Sequence, residues 1–250
     1  VLHGMLMNHT RSRNKILPFI HEYDLDIEEF RKAPDTFRHF NDFFYRELKP
    51  RARPIDKKQE SIVFPADGRH FLIPNLDEEA NFFLKGNRFN TLSLLGDSRL
   101  AEFYRGGSLV ISRLCPVDYH RYHFPISGDY QKLHALPGPL HSVTPIALFL
   151  RSHSLWTNRR CVSTIRRHEL TVGFVEIGAT LVGAIHDSAK EGAVLKGEEK
   201  GYFSFGGSCI ITLFPASCID YAEDLKTQSA RGIELYAKMG DTLGMIAPGR

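Results

Sequence analysis

From Ser61 onward the chain is written in short apolar runs with Gly, Pro and Asp between them. Ser61–Phe64, Ser108–Arg113, Val172–Ile177, Thr180–Ile185 and Cys209–Phe214 are each four to six residues long and rich in Val, Ile and Phe. Runs of that length and composition read as strands, because a buried helix needs about ten residues or more and takes β-branched side chains less readily. Helical periodicity here is confined to Leu92–Phe103 and a segment near Arg231–Met239. The expected class is therefore α+β, with a β-rich core of sandwich-like or barrel-like sheets.

The first fifty or so residues have a different texture. Phe37, Phe40, Phe44 and Leu48 recur at i, i+3, i+7 and i+11, one face of a helix that Asp35 and Thr36 can cap and Pro50 closes. Lys49–Pro54 follows as a stiff basic connector. The division expected is a helical, membrane-facing N-terminal segment, 1–56, and a β-rich catalytic domain, 57–250. The aromatic stripe would pack on the main domain, while Arg11, Arg13, Lys15, Arg51 and Arg53 would face lipid headgroups.

Charge and cysteine usage narrow the functional classes. A net charge of +3 is too small to call for nucleic acid, yet it permits attraction to an anionic membrane. The longest apolar stretch, Val172–Ile185, is shorter than the roughly 20 residues a membrane-spanning helix needs, and Glu176 and three glycines interrupt it. Cys115, Cys161, Cys209 and Cys218 form no C-x-x-C pair, which points to a reducing compartment. The sequence begins at Val1 rather than Met and reads as a fragment or processed form with an upstream segment out of view.

Three segments carry groups that can do chemistry. Phe205-Gly206-Gly207-Ser208-Cys209 runs straight into an apolar strand, so Ser208 would be held firmly behind two permissive glycines. It is not a hydrolase nucleophile elbow, since Ile210 stands where that motif has Gly. Asp118-Tyr119-His120-Arg121-Tyr122-His123-Phe124-Pro125 sets two histidines three apart, on opposite faces of a straight strand. For both rings to serve one site the chain must turn, and Pro125 with Ser127-Gly128 suits a bend. Pro65-Ala66-Asp67-Gly68-Arg69 is a polar turn whose carboxylate can orient a histidine that in turn deprotonates a serine. His134 and His141 complete no recognised metal-ligand spacing, so no metal is expected. Taken singly, each segment also has an ordinary reading as a turn or a satisfied structural histidine.

Together these segments resemble the phosphatidylserine decarboxylases. The shared blocks run in order: Phe40-Asn41-Asp42-Phe43-Phe44 with Leu48-Lys49-Pro50, Pro65-Ala66-Asp67-Gly68, and Asp118-Tyr119-His120-Arg121 with His123. Val175-Glu176-Ile177-Gly178-Ala179, Leu195-Lys196-Gly197-Glu198 and Gly206-Gly207-Ser208 complete them. The resemblance implies an enzyme that breaks its own backbone between Gly207 and Ser208, with Asp67, His123 and Ser208 as the processing triad and His120 serving decarboxylation. Ser208 would become a covalent pyruvoyl cofactor, whose carbonyl condenses with the substrate amine and accepts the electrons released with carbon dioxide. It further implies conversion of phosphatidylserine to phosphatidylethanolamine, peripheral membrane contact and a homodimer. The alternatives are a tryptophan-type decarboxylase of the same family, acting on a soluble amino acid, and an unprocessed, non-catalytic relative. Departures from the family pattern are Cys209 in place of Thr, a thiol beside the reacting bond, Ala184 within Val182–Ile185, Thr157 before Asn158, and the run Arg166–Glu169.

Overall fold

Every residue of Ser208–Phe214 is buried, and successive side chains enter different cores. Ile210 and Phe214 point into one layer and Cys209, Ile211 and Leu213 into another, as the two-residue period of a strand requires. A strand covered on both faces has no polar side to show, which is why this run is continuously apolar. In the computed structural model, which describes residues 6–77, 89–179, 185–206 and 208–247, this strand is the fourth of eight in an antiparallel sheet. Its order is β13 (Leu235–Ala237), β2 (Gly68–Ile73), β3 (Ser108–Leu114), β11 (Ser208–Phe214), β7 (Leu170–Gly178), β6 (Arg160–Arg167), β5 (Gly128–Leu136) and β9 (Gly192–Val194).

Two three-stranded antiparallel sheets cover one face: β1 (Ser61–Val63), β14 (Thr242–Ile246) and β12 (Ile219–Tyr221), and then β4 (Arg121–His123), β10 (Glu199–Phe203) and β8 (Ile185–Asp187). Ile62, Leu243, Tyr122 and Phe203 from these sheets pack against Leu72, Val110, Phe174 and Ile210. Helices cover the other face: α3 (Thr91–Leu95), α5 (Pro145–Leu150) and α6 (Ser154–Thr157) bring Leu94, Leu95, Leu148 and Leu155 onto Ile111, Val175 and Ile211. The β-rich α+β class expected from the run pattern is the one observed.

Helix boundaries differ from the expectation in three places. Leu92–Phe103 is two helices, because Gly96 takes a left-handed conformation that ends α3 and Asp97 caps α4 (Ser98–Phe103) through the Arg99 and Leu100 amides. The C-terminal helix is α7 (Glu223–Ala230), not a segment at 231–239, which instead supplies the edge strand β13. In the N-terminal segment, the aromatic stripe is helical only over α2 (Phe40–Phe44), where His39 rather than Asp35 or Thr36 caps the Asp42 amide. Together with α1 (Ile16–Glu22), α2 forms a separate apolar cluster in which the Phe37, Phe40 and Phe30 rings pack edge-on around Phe43. The stripe is buried, as expected, but through clustering of rings rather than one long helix.

One buried group stands out between the sheets. Lys200, wholly buried, ion-pairs with the equally buried Glu176, and Asp187 lies 3.1 Å from its Nζ and accepts a hydrogen bond from Tyr130. The Tyr130 and Phe174 rings lie 4.8 and 5.1 Å from the ammonium. Among the described residues Glu176 Oε2 has no hydrogen-bond partner, and burial raises the Glu176 pKa. Removing one member strands opposite charge in a dry layer, which is worse than never having buried the charges. Lys200→Met should therefore lower stability by about 3–5 kcal/mol. Lys200→Met combined with Glu176→Gln should recover a large part of that loss, both read by chemical denaturation. Equal stability of the single variant and the parent would show that Lys200 contributes nothing to neutralising the layer.

Candidate active site

The two histidines reach different partners because His120 lies between a turn at Cys115–Asp118 and β4, while His123 ends β4 just before the chain bends at Pro125 and Ile126. β4 is three residues long, and β10 opposite it shifts register between Glu199 and Gly201. His120 is wholly buried, with its ring stacked on Phe44 at 3.8 Å between centroids. Its Nε2 lies 2.9 Å from the Cys115 carbonyl oxygen. A carbonyl only accepts, so Nε2 carries the proton and Nδ1 offers its lone pair to Ser208 Oγ at 3.3 Å. Burial, with the Arg46 charge adding to it, pushes the His120 pKa down to about 3, so the ring is a neutral base.

The same logic fixes His123. Its Nδ1–H donates to the Gly197 carbonyl at 2.9 Å and its Nε2 accepts from the Tyr119 hydroxyl at 3.2 Å. Burial holds its pKa near 4, although the neighbouring carbonyl and the Asp67 charge act in the opposite direction. His134 and His141 lie elsewhere: His134 donates to the Leu95 carbonyl, and the His141 ring faces His153.

Asp67 sits in a turn that only glycine can follow, since a Cβ on Gly68 would meet the Arg113 carbonyl oxygen at 2.4 Å. Its carboxylate is held by Arg53, with Nε 2.9 Å from both oxygens and Nη2 at 2.6 Å, and by the Met239 amide at 2.8 Å. Burial works against the Arg53 charge, but Asp67, helped by Glu29 at 2.9 Å, outweighs it and raises the guanidinium pKa. Arg53 is therefore an interior residue and does not face lipid headgroups, while Arg11, Arg13, Lys15 and Arg51 are exposed.

Among the described residues, then, no hydrogen bond closes the expected relay from Asp67 through His123 to Ser208. Ser208 meets His120, His123 meets Tyr119 and Gly197, and Asp67 meets Arg53. A forked, charge-assisted guanidinium is a stronger partner for a buried carboxylate than a neutral imidazole, which accounts for the exchange. Gly207 and Val182–Ala184 lie outside the described residues.

The N-terminal layer completes the site. Phe40 and Phe44 pack edge-on against Phe205, and Asn41 Oδ1 accepts the Phe205 amide at 2.8 Å, two residues before Gly207. Arg46 lies beneath the 115–120 loop with Nη2 3.3 Å from the Val117 carbonyl and its Cζ over the Phe30 and Phe43 rings. Its Nε and Nη1 have no hydrogen-bond partner among the described residues, and burial lowers its pKa to about 10. The sequence reading gave Tyr119 and Arg46 no role of their own and set Arg53 at a lipid surface. Asn41, Phe44 and Tyr119 lie inside shared blocks, which is the signal that could have found them.

A sequence model of phosphatidylserine decarboxylase matches residues 40–245. The chain is 40% identical to the phosphatidylserine decarboxylase proenzyme of Chlamydia trachomatis serovar L2 over 235 residues, 93% of this chain and 78% of that protein. The proenzymes of Chlamydia pneumoniae and Clostridium perfringens are 38% and 39% identical over 245 residues, 97% of this chain and 81% and 83% of theirs. The chain belongs to the phosphatidylserine decarboxylase family.

Two departures from the family pattern now have a physical place. Cys209 points to the helix-covered face of β11, away from the layer that holds Ser208 and His120, and burial pushes its thiol up to about 12. The thiol beside the reacting bond in sequence is thus on the far side of the sheet. Asn158, which follows Thr157, is buried and donates to the Gly178 and His141 carbonyls at 2.9 and 2.8 Å. It ties the 139–159 loop to the residue paired with Ser208.

His70, also buried and held near a pKa of 3 by burial, joins His120 and His123 as a ring kept neutral by the fold. Unfolded histidines titrate near 6.5, so above about pH 7 neither state gains a proton and stability is complete. As pH falls from about 6.5 towards 4, only the unfolded chain takes up these protons. The three rings together then remove up to about 4 kcal/mol of stability per pH unit. Denaturation curves between pH 7.5 and 4.5 should show that slope, and His70→Gln should flatten it by about one proton. A slope unchanged in His70→Gln would mean that this ring is protonated in the folded protein.

Proposed function

We propose that this protein decarboxylates phosphatidylserine to phosphatidylethanolamine after breaking its own backbone between Gly207 and Ser208. Ser208, His120, His123 and Asp67 would carry the two reactions. The observation that carries the reading is the contact between Ser208 Oγ and the unprotonated Nδ1 of His120, inside a buried layer of a chain of this family. A neutral imidazole at that distance can take the hydroxyl proton as the oxygen adds to the preceding carbonyl carbon. The peptide becomes an ester, which β-elimination and hydrolysis would open to leave a pyruvoyl group at residue 208.

The residues present suit such a group. Residue 208 is the first of β11, wholly buried, and paired on one side with Leu114 and on the other with Gly178. A 2-oxoacyl group there, still joined to Cys209 by its amide, would be fixed in place by its own strand. When formed, it would supply the electron sink that decarboxylation of an amino acid headgroup needs. His120 then stands beside the reacting atoms as a group able to give or take a proton, with its orientation set by the Cys115 carbonyl and the Phe44 ring. Action on a membrane lipid implies a peripheral association. Among the described residues no helix is long and apolar enough to cross a bilayer.

Mass analysis of the purified protein should find a C-terminal fragment 208–250 carrying a pyruvoyl rather than a serine terminus, and Ser208→Ala should leave the chain whole. The geometry expects His120→Gln to slow fragment formation by about 10²-fold or more, as loss of a general base does. It expects His123→Gln to slow it less. The reverse order, with His120→Gln cleaving normally but releasing no carbon dioxide, would assign the processing base to His123. Asp67 would then have to exchange Arg53 for His123 during maturation. A whole chain in the parent protein, indistinguishable from Ser208→Ala, would remove the reading altogether.

A further inference from the structure

Between Tyr130 and His168 the chain has no Asp or Glu, while it carries Lys132, Arg151, Arg159, Arg160, Arg166 and Arg167. Over the whole sequence the two signs nearly balance, 32 against 29; here Arg160 is buried and Lys132 and Arg167 pair with Asp187 and Glu60, which leaves Arg151, Arg159 and Arg166 as exposed positive charge. Within this stretch lies α5, which turns its apolar side chains both ways. Leu148 is buried in the core under the large sheet, but Ile146 and Leu150, four apart on the other face, are 76% and 65% exposed. Pro145 in the first turn and the Thr144 cap fix the helix start, the exposed Arg151 closes its far end, and the exposed His153 and Arg159 follow in the same connection.

Position in the fold gives this face its meaning. The α5–α6 connection leaves the end of β5 and returns to the start of β6, the end of the sheet at which β7 finishes and β11 begins. Asn158 bonds the loop to the Gly178 carbonyl, and Gly178 pairs with Ser208. Two exposed aliphatic side chains beside Arg151, in a connection tied one residue pair from the reacting strand end and also carrying the exposed Arg159, match the chemistry of an anionic bilayer surface. Apolar groups enter the acyl boundary, and guanidinium groups meet the headgroup phosphates. Resting on the reading of the substrate as a membrane lipid, we infer that the exposed face of α5, with Arg151 and Arg159 of its connection, docks the enzyme on anionic bilayers. Docking there brings the Ser208 end of the sheet to the lipid. A second copy of this chain is the competing occupant, but the stretch from 131 to 167 has no Asp or Glu to pair with its own arginines in a self-complementary contact.

The test is flotation of the processed enzyme with vesicles of phosphatidylcholine alone and with 30% phosphatidylserine or phosphatidylglycerol. Turnover is measured in parallel on vesicles and on monomeric dihexanoylphosphatidylserine. Ile146→Asp with Leu150→Asp should reduce binding to anionic vesicles on the order of 10²-fold. It should reduce vesicle turnover in parallel and leave turnover of the monomeric substrate within about twofold. Arg151→Glu with Arg159→Glu should reduce vesicle binding at low salt more than at high salt. If the Asp pair impairs folding, Ile146→Ser with Leu150→Ser replaces it. Unchanged vesicle binding in the apolar pair overturns the inference. So does an equal loss on the monomeric substrate, which would place α5 in the reaction itself, and so does a parent dimer that the apolar pair converts to a monomer. A parent enzyme inactive on both forms of phosphatidylserine would defeat the substrate reading, while flotation would still decide the docking face.

Discussion

The strand that begins at Ser208 is the constraint on which the rest of the molecule depends. β11 pairs with β3 and β7 along its length, and its side chains fill both major cores. A backbone break in front of it removes one covalent tie and none of those interactions. The residues beyond the break do not form a separate lobe. β13 edges the large sheet beside β2, while β12 and β14 form a small sheet with β1. The 208–250 piece is thus held between layers of the longer one, and self-cleavage at an edge strand would lack that security.

Around this strand the fold places ionisable groups in a layer with almost no water access, and each is made tolerable in a different way. His70, His120 and His123 are neutral. Asp67 is paired with Arg53, and Lys200 is shared by Glu176 and Asp187. The N-terminal layer supplies much of this insulation, since Phe44 lies flat on His120 and Arg53 follows in the connector. A segment with its own apolar cluster is therefore also part of the site wall, and a boundary near residue 56 divides textures of sequence rather than functions.

How much of this was legible in the sequence varies with the kind of information. The strands β1, β3, β7 and β11 were, because runs such as Ser108–Arg113 and Cys209–Phe214 are too short and too β-branched for helices. Their division between two cores was not, since a strand buried on both faces shows no alternation. Residues 180–184 lie outside the described residues, and longer, more polar strands such as β5 and β6 gave no such run. The aromatic stripe announced burial of Phe37, Phe40 and Phe44, but its 3.6 spacing overstated the helix, because ring clustering about Phe43 satisfies the same pattern with a shorter turn. The site segments were identifiable as a set only through their resemblance to a family. Which histidine meets Ser208 depends on where the chain bends and on a register shift across from β4, and neither has a sequence signature. Arg53 was misplaced for a related reason: a basic connector between prolines looks solvent-exposed unless its carboxylate partner, fourteen residues on, is known.

Dryness links the two reactions on the proposed reading. An imidazole held near a pKa of 3 is a weak base, so proton removal from Ser208 by His120 has little driving force. That is tolerable for an event each molecule performs once, and the low value keeps Nδ1 unprotonated across the physiological range. Repeated turnover asks for the opposite compromise. A carboxylate brought from water into a layer with few free donors loses hydration, and that loss would be relieved as its electron pair passes into the electron sink and neutral carbon dioxide departs. The layer that slows the single maturation step is thus suited to favour the step that recurs. The neutral histidines that weaken the fold below pH 6 follow from the same burial.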